Sequence, residues 1–161
     1  MRHAVAVAIA LVIAGCPAPK PSETTPAAFA TPKEVVAAAK GVIEQWRQAY
    51  EVKSFDALAK LYSHDIDLVV VQDGLPLMGW SSVEAMLKDR LARAKEIHVR
   101  LKEVSVASIA PTVAVAVATM TRELSDGVTT VTENGALTLV LRRTADGWQI
   151  VQEHYSYKRP S

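Results

Sequence analysis

From Ile97 onward the chain is written almost entirely in the period of a β-strand, punctuated by two aspartate–glycine turns, Asp126-Gly127 and Asp146-Gly147. Glycine tolerates the positive φ that such turns need, and apolar residues at alternate positions turn one face of each strand toward a core. Val99 and Leu101 alternate, after which the apolar phase slips to Val104 and Val106, which predicts a β-bulge and a bend in the sheet. Residues 112–122 carry Val113, Val115 and Val117 on one side and Ala114, Ala116, Ala118 and Met120 on the other, so both faces need a cover. Alanine admits a helix at close range, and a second subunit is the economical cover for the valines. Residues 128–143 form a long strand and residues 147–157 close the sheet. Strict alternation there places Trp148, Ile150, Gln152, His154 and Ser156 on one side and Gln149, Val151, Glu153, Tyr155 and Tyr157 on the other.

The chain ahead of this sheet is mostly helical. Thr31-Pro32-Lys33-Glu34 has a capping threonine, a proline at the first helical position and a glutamate placed to reach back. Val35, Ala39, Val42, Ile43, Trp46 and Tyr50 then recur at three- and four-residue steps, an amphipathic helix to about Glu51. Ser54 caps a second, short helix that carries Phe55, Leu58, Leu61 and Tyr62 inward. Residues 66–71 are expected as a strand, with a turn through Asp73-Gly74-Leu75-Pro76. Ser81 and Glu84 are expected to box the start of a third helix, which runs to about Ala94 and buries Val83, Met86, Leu87 and Leu91.

The N-terminus is an address. Arg2 and His3 precede an unbroken run of Ala, Val, Ile and Leu over residues 4–14, too short for the ~20 residues a bilayer span needs but suited to a signal-peptide core. The run ends in Ile13-Ala14-Gly15-Cys16, which resembles the lipobox of bacterial lipoproteins. That resemblance implies removal of residues 1–15 and a diacylglycerol on Cys16, with Pro17 in place of the aspartate that retains some lipoproteins at the inner membrane. The expected location is the cell envelope, with the periplasmic leaflet of the outer membrane favoured. Each buried methylene contributes about 0.8 kcal/mol, so several chains anchor where one would not. Residues 16–31, with Pro17, Pro19, Pro21 and Pro26, form an extended tether in which Phe29 is the one large apolar residue, and residues 32–158 form the folded domain. Cys16 is the single cysteine, so no disulfide braces the fold. Lys+Arg 18 against Asp+Glu 17 leaves +1 with no basic run, which argues against a nucleic-acid partner.

The element order, the Gly79 helix start and the run Gly147-Trp148-Gln149-Ile150-Val151-Gln152-Glu153-His154-Tyr155-Ser156 resemble the SnoaL-like branch of the nuclear transport factor 2-like superfamily. The resemblance implies an α+β cone: a curved, mostly antiparallel sheet wrapped around three helices with an internal cavity, here lined by the Trp148/His154 face. It does not fix an activity, because this fold hosts isomerases, cyclases, dehydratases, ligand binders and dimerisation modules. The ketosteroid isomerases on the fold use a tyrosine of the first helix and two acids on strands. The matching positions here are Trp46, Val70 and Leu139 or its neighbour, so that mechanism lacks its base.

Among single candidates, His154 is the expected acid/base, because histidine is the side chain suited to proton transfer near neutrality, with Ser156 or Tyr50 as donor. Adjacent strand residues face opposite ways, so Glu153 cannot orient it. Asp65, Asp67 and Asp73 fall at strand ends; His64-Asp65-x-Asp67 makes a poor metal set, and His98 sits among Lys95, Arg100 and Lys102. Neither a metal nor a cofactor is expected. Trp46, Tyr50, Tyr62, Trp80 and Trp148, with Met120, Gln152, His154 and Ser156, are either the lining of a ligand pocket or core filler. Three functions remain open. They are a non-catalytic binder of a small apolar or amphipathic molecule or of an envelope partner, a cyclase-, dehydratase- or isomerase-type enzyme using His154, and a homodimeric scaffold.

Overall fold

The computed structural model describes residues 30–157. The expected signal segment, Cys16, Phe29 and all but the last two residues of the expected tether lie outside the described residues. Among the described residues no helix is long and apolar enough to cross a membrane.

Helix α1 spans Pro32–Glu51, and its capping box forms as the sequence predicts, with Thr31 N donating to Glu34 Oε2 at 2.7 Å. Its stripe of Val35, Ala39, Val42, Ile43, Trp46, Ala49 and Tyr50 is buried. Helix α2, Phe55–Leu61, is capped by Ser54, whose Oγ accepts from Ala57 N. Strands β1, Val69–Gln72, and β2, Leu75–Met78, form a hairpin. Two boundaries differ from expectation. The first strand begins at Val69 rather than Ile66, which is 85% exposed on the preceding turn. Helix α3 spans Gly79–Arg93, and no capping box forms at Ser81 and Glu84. Gly79 has φ +74 and donates its N–H to Leu68 O at 2.8 Å, so the chain turns from strand straight into helix ahead of the serine.

Strands β3 (Glu96–Ala110), β4 (Val113–Ser125), β5 (Thr130–Thr144) and β6 (Gly147–Tyr157) complete a six-stranded sheet of order β2-β1-β6-β5-β4-β3. The sheet is not closed, and its pairs are antiparallel except β1 with β6. The expected bulge lies between Lys102 and Ser105, where Glu103 takes φ +54. It bends β3 over α1. Ala114, Ala116, Ala118 and Met120 are buried on the concave side, while Val117 is 45% exposed on the convex side. The family fold is therefore present as an α+β cone.

Strict alternation fails in β6. Val140 pairs with Gln152 but Leu141 pairs with Ile150, so Val151 is an extra residue. Before this bulge Trp148 and Ile150 pack against the core; after it Glu153 and Tyr155 are buried and Tyr157 packs beside them. Gln152, His154 and Ser156 are turned to the exposed convex face. The Trp148/His154 face is thus not one face.

Gly135 on β5 lies opposite Tyr157, where β6 crosses so closely that an added Cβ would come within 2.0 Å of the Ser156 carbonyl oxygen. Backbone cannot yield to that contact without moving a strand. Gly135→Ala is expected to lower stability by about 1–3 kcal/mol, toward the upper end, read as a drop in the urea midpoint at unchanged m-value.

Candidate functional site

Glu153 stands at the centre of the concave face. It is paired with Leu139 on β5 and Val70 on β1, and its side chain is fully buried. Tyr62, at the end of α2, donates its hydroxyl to Glu153 Oε2, and Trp46 Nε1 donates to that same hydroxyl oxygen at 2.8 Å. One carboxylate oxygen is therefore fixed by a relay that begins on α1. Burial, and then the adjacent Glu153, push the Tyr62 hydroxyl well above the ordinary tyrosine range, which keeps it protonated and donating. The other oxygen, Oε1, has no hydrogen-bond partner among the described residues.

Two guanidinium groups share this interior. Arg122 on β4 is fully buried; its Nε donates to Glu133 Oε2 at 2.6 Å and its second terminal nitrogen to Tyr157 OH at 2.7 Å. Its Cζ lies 4.6 Å from the centroid of the Tyr155 ring. Arg90 on α3 is 8% exposed and donates to Tyr50 OH at 2.9 Å and to Gln72 Oε1. Its Cζ lies 5.8 Å from the Tyr50 ring and 5.9 Å from the Tyr155 ring. Both cations lie against the electron-rich rings, which lowers the cost of burying them. Burial and Glu153 also push the Tyr155 hydroxyl well above its ordinary value. Three buried polar atoms have no partner among the described residues: Glu153 Oε1, Tyr155 OH and one terminal nitrogen of Arg122. Leaving such an atom unpaired costs about 1–3 kcal/mol, so each of the three calls for a polar partner, a water or a ligand atom.

Of the residues singled out from the sequence, Trp46, Tyr50 and Tyr62 are brought together here, and Met120 is buried on the same concave face. Trp80 lies to one side, stacked on His64 at 4.1 Å and 6.4 Å from the Tyr62 ring. Trp148 packs over the start of α1, beside Val35 and Arg143. Gln152, His154 and Ser156 are on the far side of the sheet, so the structure does not gather them into this site. Asp65, Asp67 and Asp73 are exposed; Asp65 pairs with Arg142, and the hydrogen bond from Ser63, then that guanidinium, hold its carboxyl below the usual range. His98 is exposed, 3.9 Å from Glu96. No group of three or more His, Cys, Asp or Glu among the described residues could hold a metal ion.

Sequence reasoning missed Glu153, Arg90, Arg122, Tyr155 and Tyr157. Two of them carried a signal. Arg122 continues the Ala114–Met120 alternation at the next concave position, and Arg90 extends the Val83, Leu87 stripe of α3 by three residues. Glu153 carried none without the bulge. It nevertheless lies directly between Val70 and Leu139, the two positions to which the steroid-isomerase resemblance assigns acids.

The SnoaL-like domain family matches residues 39–160 of the chain. Among solved structures the chain is similar to a protein described as a candidate dehydratase of the nuclear transport factor 2-like family from Streptomyces avermitilis. Identity is 24%, TM-score 0.73, and the match covers 81% of this chain and 100% of that one. It is also similar to a nuclear transport factor 2-like superfamily protein from Salmonella enterica, with 16% identity, TM-score 0.72, and 80% and 94% covered. A third likeness is to a protein described as a candidate aromatic ring hydroxylase from Novosphingobium aromaticivorans, with 22% identity, TM-score 0.71, and 81% and 93% covered. No curated protein matches. At these identities the structural likenesses speak to the fold.

Proposed function

Because the chain belongs to the SnoaL-like domain family, we propose that it is an envelope-anchored protein that binds a small molecule in the polar interior around Glu153. The observation that carries this reading is the set of three unpartnered buried atoms, Glu153 Oε1, Tyr155 OH and the Arg122 nitrogen, on side chains that pack together on the concave side of the sheet. The aromatic rings of Trp46, Tyr50, Tyr62 and Tyr155 supply the apolar walls, so the molecule is amphipathic. Ile13-Ala14-Gly15-Cys16 and the proline-rich tether support a lipid anchor in the envelope, with the periplasmic leaflet of the outer membrane as the favoured surface. Pairing aligns Ser105, Val117, Thr138, His154 and Val71 across the convex face, a row without lysine, arginine, aspartate or glutamate that suits a second copy, and the protein acts as a homodimer.

A second reading, proton transfer of the dehydratase or isomerase kind, is favoured by one feature. Glu153 Oε2 is held by Tyr62 while Oε1 is free to take a proton from a bound molecule and return it. Glu153, not His154, is then the acid/base.

Native and denaturing mass spectrometry of the full-length chain tests these readings together. A dimer that releases a discrete small molecule, in wild type and His154→Gln but not in Glu153→Gln, is the expected result. Retention of the same molecule by Glu153→Gln overturns the interior site. Turnover of the released molecule, lost in Glu153→Gln and kept in His154→Gln, selects the catalytic reading. Cys16→Ser is expected to abolish incorporation of labelled fatty acid and release the chain from the membrane fraction; unchanged labelling removes the anchor.

A further inference from the structure

Trp46 on α1, Tyr62 at the end of α2 and Glu153 on β6 are fully buried and stand in one hydrogen-bonded line, although 16 and 91 residues separate them in sequence. The three groups differ in what they can give. An indole nitrogen only donates, an ionised carboxylate only accepts, and a phenol hydroxyl does both with a single proton. Trp46 Nε1 donates to the Tyr62 oxygen at 2.8 Å, so the proton of that hydroxyl finds no acceptor on the α1 side. It goes to Glu153 Oε2. Burial keeps it on the phenol, because the Tyr62 hydroxyl is pushed well above the ordinary tyrosine range. The order of protons along the line is therefore set from the tryptophan end.

That order makes the two oxygens of Glu153 unequal. A proton placed on Oε2 would face the Tyr62 hydroxyl proton head-on, since Trp46 holds the other side of that phenol oxygen. Oε1 has no partner among the described residues and remains the open position. Trp46 is itself held. Its ring meets Tyr50 edge-on, with centroids 4.8 Å apart and planes at 72°, and Tyr50 OH accepts from Arg90 at 2.9 Å. At 0% exposure the indole has no water to turn to. Each bond in such a line polarises the next, so a donor that never touches the carboxylate still strengthens the grip on it.

We propose that Trp46 is a positioning residue of the interior site: through Tyr62 it commits Glu153 Oε2 as an acceptor and leaves Oε1 as the one oxygen open to a proton from a bound molecule. The proposal rests on the reading of Glu153 as the group that meets that molecule. It also names the class of molecule, one that presents an O–H, N–H or acidic C–H to Oε1 rather than an anion. In the proton-transfer form, the bond to hydrogen breaks in the molecule and its electron pair stays there. An O–H bond forms at Oε1, and the reverse step returns the proton.

Nuclear magnetic resonance of the full-length chain, with isotope-labelled tryptophan and tyrosine, tests this near neutral pH. One tyrosine hydroxyl proton is expected to be resolved, with nuclear Overhauser contacts to the Tyr62 ring and to the Trp46 indole N–H. Trp46→Phe keeps a ring and removes the donor. It is expected to speed exchange of that proton with water at least about tenfold, the weight of one buried hydrogen bond. Since the smaller ring could unfold the chain, Glu153→Gln is the second variant. Its amide is expected to turn its oxygen to Tyr62 and its NH2 group to the place of Oε1, so the hydroxyl resonance persists. An amide turned the other way would donate to the phenol oxygen and leave the hydroxyl proton without an acceptor, and the resonance would be lost. No resolved hydroxyl proton in wild type, unchanged exchange in folded Trp46→Phe, or loss of the resonance in folded Glu153→Gln overturns the proposal. A resolved relay with no molecule released in the mass spectrum overturns the interior reading instead, and Trp46 with it as a positioning residue, so the two failures are told apart.

Discussion

Raising the pH above the ordinary tyrosine range is expected to unfold this protein cooperatively. Tyr62 and Tyr155 are fully buried, and burial, with Glu153 adding to it, holds both hydroxyls well above the ordinary value near ~10. The sign follows from linkage. A group whose folded pKa lies above its unfolded value contributes stability that is complete below the unfolded pKa, and loses it as pH rises toward the folded one. Each group removes about 1.4 kcal/mol per pH unit in that window, so two remove roughly 2.7 kcal/mol per unit. Against a typical stability of about 5–15 kcal/mol, roughly two units above pH ~10 are enough for a chain at the lower end of that range. Absorbance of tyrosinate near 295 nm and far-ultraviolet circular dichroism check this on one sample. The expected result is that at least two of the four tyrosines ionise together with loss of the dichroism. Ionisation of all four near pH ~10 in an intact fold would remove the buried tyrosine cluster. Tyr155→Phe is expected to roughly halve the alkaline slope.

The second large effect belongs to Arg122. Its guanidinium is fully buried and joined to Glu133 at 2.5 Å and to Tyr157 at 2.7 Å. Arg122→Met deprives Glu133 of its cation and Tyr157 of its partner. Removal of one member of a buried ion pair costs about 3–5 kcal/mol, because the other charge is stranded. The low end is expected here, since the Glu133 side chain is 19% exposed and can turn to water. Arg122→Met with Glu133→Gln is expected to recover most of the loss, because the two changes share one interaction. Additive urea-midpoint shifts in the double variant would show that Glu133 is not the residue that Arg122 serves.

The helices and the bend in β3 were legible because their signals are local. Thr31-Pro32-Lys33-Glu34 specifies its own cap, and the slip from Leu101 to Val104 shows in the apolar pattern itself. The bulge in β6 was not legible, because Trp148, Ile150, Gln152 and His154 alternate without a break and Glu153 looks like an ordinary solvated acid. Its phase is set across the ladder by Leu141 and Val140, and by Tyr62 and Trp46, which are far away in sequence and close only after folding. The start of α3 was misplaced for a related reason: Ser81 and Glu84 match a capping box, but Gly79 bonds to Leu68 and starts the helix first.

The extra residue at Val151 makes the content of the cone depend on a count of one. Were β6 to pair without the bulge, with Val151 taking the place of Gln152 opposite Val140, the two sides of the strand beyond Ile150 would exchange, bringing Gln152, His154 and Ser156 inward and expelling Glu153, Tyr155 and Tyr157. A carboxylate–phenol chamber would become an imidazole–hydroxyl chamber with no side chain substituted. Within a fold that houses unrelated chemistries, a one-residue change of register in the closing strand can therefore swap one reactive inventory for another. Lineages that keep the register of Gln152 opposite Val140 are the ones whose interiors can be compared residue by residue.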